Sequence, residues 1–199
     1  DFMKRTNVRR LTIIGVLTAI SFILLQTGLG IIQIPGLPLK ITIMHLPVII
    51  AAIMEGPIAG GITGLFFGGF SILDKLMRPG PIQQINEMFY NPLVSVVPRI
   101  LIGIVSYYVY RAIKTKVLGV RTGIAAVAGS LTNTIGVLGM IWLLYGPQYA
   151  AAMGKAGQNA FIVIFGAAAT NGIMEAVCAA AITIPVIYGL SKVYKKSNR

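Results

Sequence analysis

From Ile162 to Ser191 the chain runs thirty residues with a single charged side chain, Glu175. About 20 apolar residues in a helix already cross the hydrocarbon core of a bilayer. This stretch therefore predicts a transmembrane helix. Within it Asn171 and Glu175 stand four residues apart, on one helical face. A carboxylate at bilayer depth costs at least about 2.5 kcal/mol on insertion scales unless partners or water meet it, so this face reads as part of a binding site.

The rest of the chain has the same character. Of 199 residues, 56% are hydrophobic and 11% charged, a balance that assigns an all-α polytopic membrane protein. Residues 1–199 read as a single domain of six transmembrane helices, with Asp1-Phe2 ahead of Met3 an appended remnant. The uncharged run Leu11–Leu39 is too long for a signal-peptide core and predicts a retained span. The first span covers Arg9 to Gln26. Gly28, Gly30, Pro35, Gly36 and Pro38 then break helical continuity and predict an apolar loop lying over the mouth of the bundle. Ile41 to Met54 is short for a crossing and ends at Glu55-Gly56-Pro57, which predicts a helix shielded inside the bundle. Span three follows to Leu73 with Gly60, Gly64 and Gly68 at steps of four, a stripe for close backbone approach. Asp74 to Asn91 reads as a connection, Pro92 to Tyr110 as span four, Thr122 to Leu144 as span five, Tyr145 to Asn159 as a second connection, and the remainder to Ser191 as span six. Cys178, the only cysteine, reads as a small buried hydrophobe.

The net charge of +12 would point to nucleic acid in a soluble chain, but its placement excludes that reading. Lys4, Arg5, Arg9 and Arg10, then Arg111, Lys114, Lys116 and Arg121, then Lys192, Lys195, Lys196 and Arg199 all flank spans on one side. Only Lys40, Lys75, Arg78 and Lys155 fall on the other. The bias predicts cytoplasmic termini, with attraction to lipid headgroups as a second effect.

Asn133 and Asn171 each lie roughly 18 Å from opposite faces, at about 1.5 Å per residue. They can converge on one ligand or merely hydrogen-bond across helices. Glu175, one turn nearer the cytoplasm than Asn171, can accept bonds from a ligand or neutralise Arg99 or His45. Arg99, roughly 10 Å below the outer surface by the same rise, carries a fork suited to a carboxylate or phosphate, with snorkelling or pairing to Glu175 as alternatives. His45 reads as a hydrogen-bonded packing residue near the outer end of the short helix, without companions for a metal site. Tyr90 and Asn91 are placed to reach a pocket mouth, while Trp142, Tyr145 and Tyr149 read as interface-belt aromatics. Gly15 and Ala19 form a small-xxx-small pair that serves internal packing or docking of another membrane protein.

Four runs together resemble a known family: Thr42 to Gly61, Asn91 to Gly103, Thr132-Asn-Thr, and Asn171-Gly-Ile-Met-Glu175. In this order, on six spans, they resemble the substrate-binding S components of energy-coupling factor (ECF) vitamin transporters, most closely the pantothenate-type branch. The resemblance implies a subunit in the cell membrane of a prokaryote that captures a water-soluble vitamin at its outer face, under the loop after helix one. It implies assembly with a transmembrane coupling subunit and two cytoplasmic ATPases, docking through a helix-one motif that Gly15 and Ala19 match with Gly in the first place. Arg99, Asn133, Asn171 and Glu175 are the matching vitamin-contact positions, with Tyr90 and Asn91 beside them. Pantothenate is favoured because Arg suits its carboxylate and Asn and Glu its hydroxyls and amide. Pyridoxine, a thiamin-precursor pyrimidine, folate and cobalamin stay open. No cofactor and no ATPase motif is expected in this chain. Two rival readings are a membrane-embedded enzyme, disfavoured by five acids and one His, and a stand-alone secondary carrier.

Overall fold

The structure, a computed structural model, describes residues 2–33 and 40–197. In chain order these form α1 (Phe2–Thr27), β1 (Ile31–Gln33), β2 (Lys40–Thr42), α2 (Leu46–Glu55), α3 (Pro57–Met77), α4 (Gln83–Tyr90), α5 (Pro92–Ser95), α6 (Val97–Ala112), α7 (Leu118–Ala152) and α8 (Ala160–Ser197). The protein is an all-α polytopic membrane protein. Five segments are long and apolar enough to cross a bilayer: Val8–Thr27, Pro57–Met77, Pro92–Ala112, Leu118–Ala152 and Ala160–Val193. They expose aliphatic side chains such as Val16, Leu65, Ile135, Leu143 and Val177 outward, as lipid solvation requires.

The sixth apolar segment is different in kind. α2 has ten residues, and every one from Leu46 to Ala52 is buried, so it is solvated by protein rather than lipid. Its end is set by Gly56, whose φ of 96° lies where L side chains are strained, and whose N–H still bonds the Ala52 carbonyl. Pro57 then starts α3, where a missing N–H costs nothing.

The glycine stripe on α3 packs directly on backbone. A Cβ added to Gly60 would lie 2.6 Å from the Ala52 Cβ and 2.9 Å from the Gly103 Cα, and one on Gly68 would lie 2.7 Å from the Ser95 carbonyl oxygen. Gly64 faces the Arg99 carbonyl oxygen even more closely. These contacts seat α3 on α5 and α6 and fix where the Arg99 backbone stands. α5 and α6 are separated by a break at Val96, with Pro98 in the first turn of α6.

Three connections differ from the sequence reading. The second connection is largely helical: α7 kinks at Tyr145 (φ −137°, ψ 17°) and resumes to Ala152, with Pro147 two residues past the kink. Proline there falls in the first turn of the resumed helix and interrupts no bond. The chain turns through Gly154 and Gly157, both at positive φ, and Asn159 caps α8 by accepting from Phe161 N at 3.0 Å. Another difference is the connection after α1, which contains an antiparallel hairpin pairing Ile31 with Thr42, Ile32 with Ile41 and Gln33 with Lys40. Its tip, with Ile34, Pro35, Gly36, Leu37 and Pro38, lies outside the described residues. Likewise, Asp74 to Asn91 holds the last turn of α3 and all of α4.

The core has two apolar clusters. One joins Met44, Leu46, Val48, Ile49, Phe67, Ile102, Ala126 and Ala179; the other joins Met88, Val94, Val137, Ile141 and Ile164.

Candidate functional site

Between these clusters, at the end of the bundle that carries the hairpin, lies a cavity of about 210 Å³. Larger hollows of about 450 and 400 Å³ lie against α3/α6 and α7/α8, but they are shallow and lined mainly by aliphatic side chains facing lipid. Only polar groups aimed into a recess can orient a water-soluble molecule, so the smaller cavity is the candidate.

Its walls come from separate elements. Helix α3 supplies Phe67, Ser71 and Lys75, residues i, i+4 and i+8 on one face, with Asp74 beside them. Leu25, Ile31, Thr42 and Met44 close the hairpin side; Phe89, Arg99 and Asn133 come from α4, α6 and α7.

Arg99 is 7% exposed. One Nη donates to the Val94 carbonyl at 2.8 Å, the guanidinium carbon stands 5.7 Å from the Phe67 ring centroid, and Nε is buried without a partner. The Val94 carbonyl is free for this bond because the residue four positions on, Pro98, has no N–H to donate. A neutral carbonyl and a ring face leave the positive charge uncompensated, and a carboxylate is the group that matches the remaining fork. Asn133 lines the same cavity with a buried Oδ1 that has no donor. An unpaired buried amide oxygen costs about 1–3 kcal/mol, which a ligand hydroxyl or amide N–H would recover.

Glu175 stands behind this wall. It is 8% exposed; its Oε1 accepts from Thr42 N at 3.0 Å and from Thr42 Oγ1 at 2.7 Å, and its Oε2 accepts from Thr134 Oγ1 at 3.4 Å. The carboxylate ties strand β2 to α8, and among the described residues no ion pair joins it to Arg99. Thr42, not Glu175, reaches the cavity.

The other candidates sit nearby without lining it. Asn171 is half-buried with its Oδ1 unpartnered. Asn91 donates to the Tyr145 hydroxyl at 2.9 Å and caps α5 by accepting from Leu93 N, which ties the start of α5 to the kink in α7. Tyr90 is half-buried next to the lining Phe89. His45, 1% exposed, occupies the position before α2, and both its ring nitrogens are buried without partners, so it packs there but is not hydrogen-bonded as the sequence reading expected. Gly15 and Ala19 face outward on α1, and a Cβ at Gly15 would meet nothing within 4 Å.

Sequence reasoning missed Lys75, Asp74, Ser71, Thr42 and the two aromatic walls. The Phe67–Ser71–Lys75 spacing was the available signal, since it carries one face of α3 from apolar to charged toward the hairpin end.

The pattern of the family described as "ECF transporter, substrate-specific component" matches residues 9–187 of this chain. The chain is 28% identical over 207 aligned residues to the pantothenic acid transporter PanT of Lactococcus lactis subsp. cremoris, an alignment covering 98% of this chain and 100% of that protein. It is 35% identical over 101 residues to the pantothenate transporter PanT of Leuconostoc mesenteroides subsp. mesenteroides, covering 49% of this chain and 48% of that protein.

Proposed function

The chain belongs to the substrate-specific components of ECF transporters, and on that premise we propose that its cavity captures pantothenate outside the cell and presents it for import. As a member of that family it is a non-catalytic, multi-pass membrane subunit that works with an energising module. The finer assignment rests on one observation: Arg99 and Asn133 bring an uncompensated guanidinium and an unpaired amide oxygen into one recess. Pantothenate offers a carboxylate to the first and hydroxyl and amide donors to the second. The relatives named for pantothenate support the same ligand, one of them along its whole length. A cavity of about 210 Å³ also favours a small vitamin over folate or cobalamin.

In this reading the hairpin end faces outward, both termini face the cytoplasm, and Glu175 acts through Thr42 by holding the wall of the cavity. Asn91 ties α5 to the kink in α7 beside that wall, while Asn171, Tyr90 and His45 stay outside the lining. The exposed Gly15–Ala19 face of α1 receives a transmembrane coupling subunit, which two cytoplasmic ATPases drive. Calorimetric titration of the purified protein with pantothenate, pyridoxine, a thiamin-precursor pyrimidine, folate and cobalamin tests the ligand. Tight binding of pantothenate alone is expected, and preference for any of the others refutes the assignment.

A further inference from the structure

The two acids that border the cavity are already engaged. Asp74 pairs with Arg78, whose guanidinium also donates to the Gln26 and Leu25 carbonyls at 2.8 and 3.1 Å, so it closes the C-terminal end of α1. Glu175 is taken by Thr42 and Thr134. The two cations in the lining are not balanced in the same way. Arg99 meets a carbonyl and a ring, and Lys75 holds its Nζ 5.8 Å from the centroid of the Phe89 ring. Among the described residues no carboxylate pairs with Lys75.

Their heights differ. Phe67, which Arg99 overlies, and Lys75 are eight residues apart on one face of α3, about 12 Å along the helix at 1.5 Å per residue. Lys75 is half-exposed in the last turns of α3 beside the hairpin, whereas Arg99 is buried. The recess therefore has one positive charge at its mouth and another at its depth. A flexible, strongly hydrated ammonium suits a ligand still shedding water, and a guanidinium fork suits one already oriented.

We propose that Lys75 is a specificity-determining residue of this site: it meets the carboxylate of the incoming vitamin at the mouth and passes it to Arg99, so that the protein selects monoanions over neutral molecules of the same shape. The assignment rests on the pantothenate reading. A charge at the rim acts chiefly on the association rate and on its salt dependence.

The test uses the full chain in nanodiscs of neutral phosphatidylcholine and measures association and dissociation rates of radiolabelled pantothenate and its neutral alcohol analogue at low and high salt. Lys75→Gln is expected to slow pantothenate association about tenfold at low salt and to flatten its salt dependence, with dissociation and the alcohol analogue little changed. Lys75→Arg is expected to restore the rate. If Lys75→Gln affects both ligands equally, or acts only on dissociation, the residue merely covers Phe89 and the proposal is overturned. Should the wild type instead bind biotin or nicotinate, the same comparison with their neutral amides applies, and selective slowing by Lys75→Gln supports Lys75 while pantothenate is refuted. A wild type that takes only neutral or cationic vitamins overturns both.

Discussion

Replacing Glu175 with Ala should loosen the hairpin before it affects the ligand. The carboxylate accepts two short bonds from Thr42, at 3.0 and 2.7 Å, and a longer one from Thr134. Hydrogen bonds to charged groups contribute about 1.5–3 kcal/mol each. The pair would then contribute about 3–6 kcal/mol, but Thr42 lines the cavity, so water can replace part of what its hydroxyl loses and the net cost falls just below that range, about 2–3 kcal/mol. At tenfold per 1.4 kcal/mol, strand β2 should detach from α8 roughly 30 to 150 times more often. Hydrogen–deuterium exchange of peptides spanning residues 40–44, in the full chain without ligand, reads this directly, because the Thr42 N–H is itself the bonded donor. Glu175→Gln keeps a neutral acceptor and should accelerate exchange by about tenfold or less. If Glu175→Ala leaves exchange of this segment unchanged and abolishes vitamin binding, Glu175 contacts the ligand and the bracing role is wrong.

Three other perturbations separate the parts of the molecule. Arg99→Gln removes a charge-assisted contact and should weaken pantothenate binding by about 10- to 150-fold, read by calorimetry. Gly64→Ala drives a methyl group into the Arg99 carbonyl oxygen; overpacking of this kind costs about 1–3 kcal/mol, so both thermal stability and affinity should fall, and an unchanged melting temperature would contradict the packing. At Gly15 an added Cβ meets no neighbour within 4 Å and the position is exposed, so Gly15→Leu should retain folding and vitamin affinity while co-purification with the energising subunits is lost.

The long helices were legible because apolar length and Gly/Pro punctuation act locally. Gly56-Pro57 dictates a sharp restart, and the spacing of Gly60, Gly64 and Gly68 dictates a close neighbour. The helix after Tyr145 was not legible, since Tyr145-Gly-Pro is equally good turn chemistry and only packing decides that the chain resumes its helix. The hairpin escaped for a related reason: strands of three residues between glycines and prolines leave no alternating pattern to detect. Arg99 and Asn133 stood out because a polar atom in an apolar span needs an explanation. Lys75 and Thr42 did not, because at the end of a span a charge or hydroxyl is unremarkable. The partner of Glu175 could not be read at all, as Thr42 is 133 residues away in sequence.

The direct seating of α3 on α6, glycine against main chain, leaves no room between Gly64 and the Arg99 carbonyl or between Gly60 and Gly103 for the two helices to close further. The backbone bearing Phe67, Ser71 and Lys75 and the base of Arg99 thus form one plate, and the spacing between the main-chain anchors of the two cations acts as a ruler from which the Lys75 side chain extends. Under the proposed function, the side left to yield to a molecule is the opposite one, where a single acid pins two atoms of one threonine.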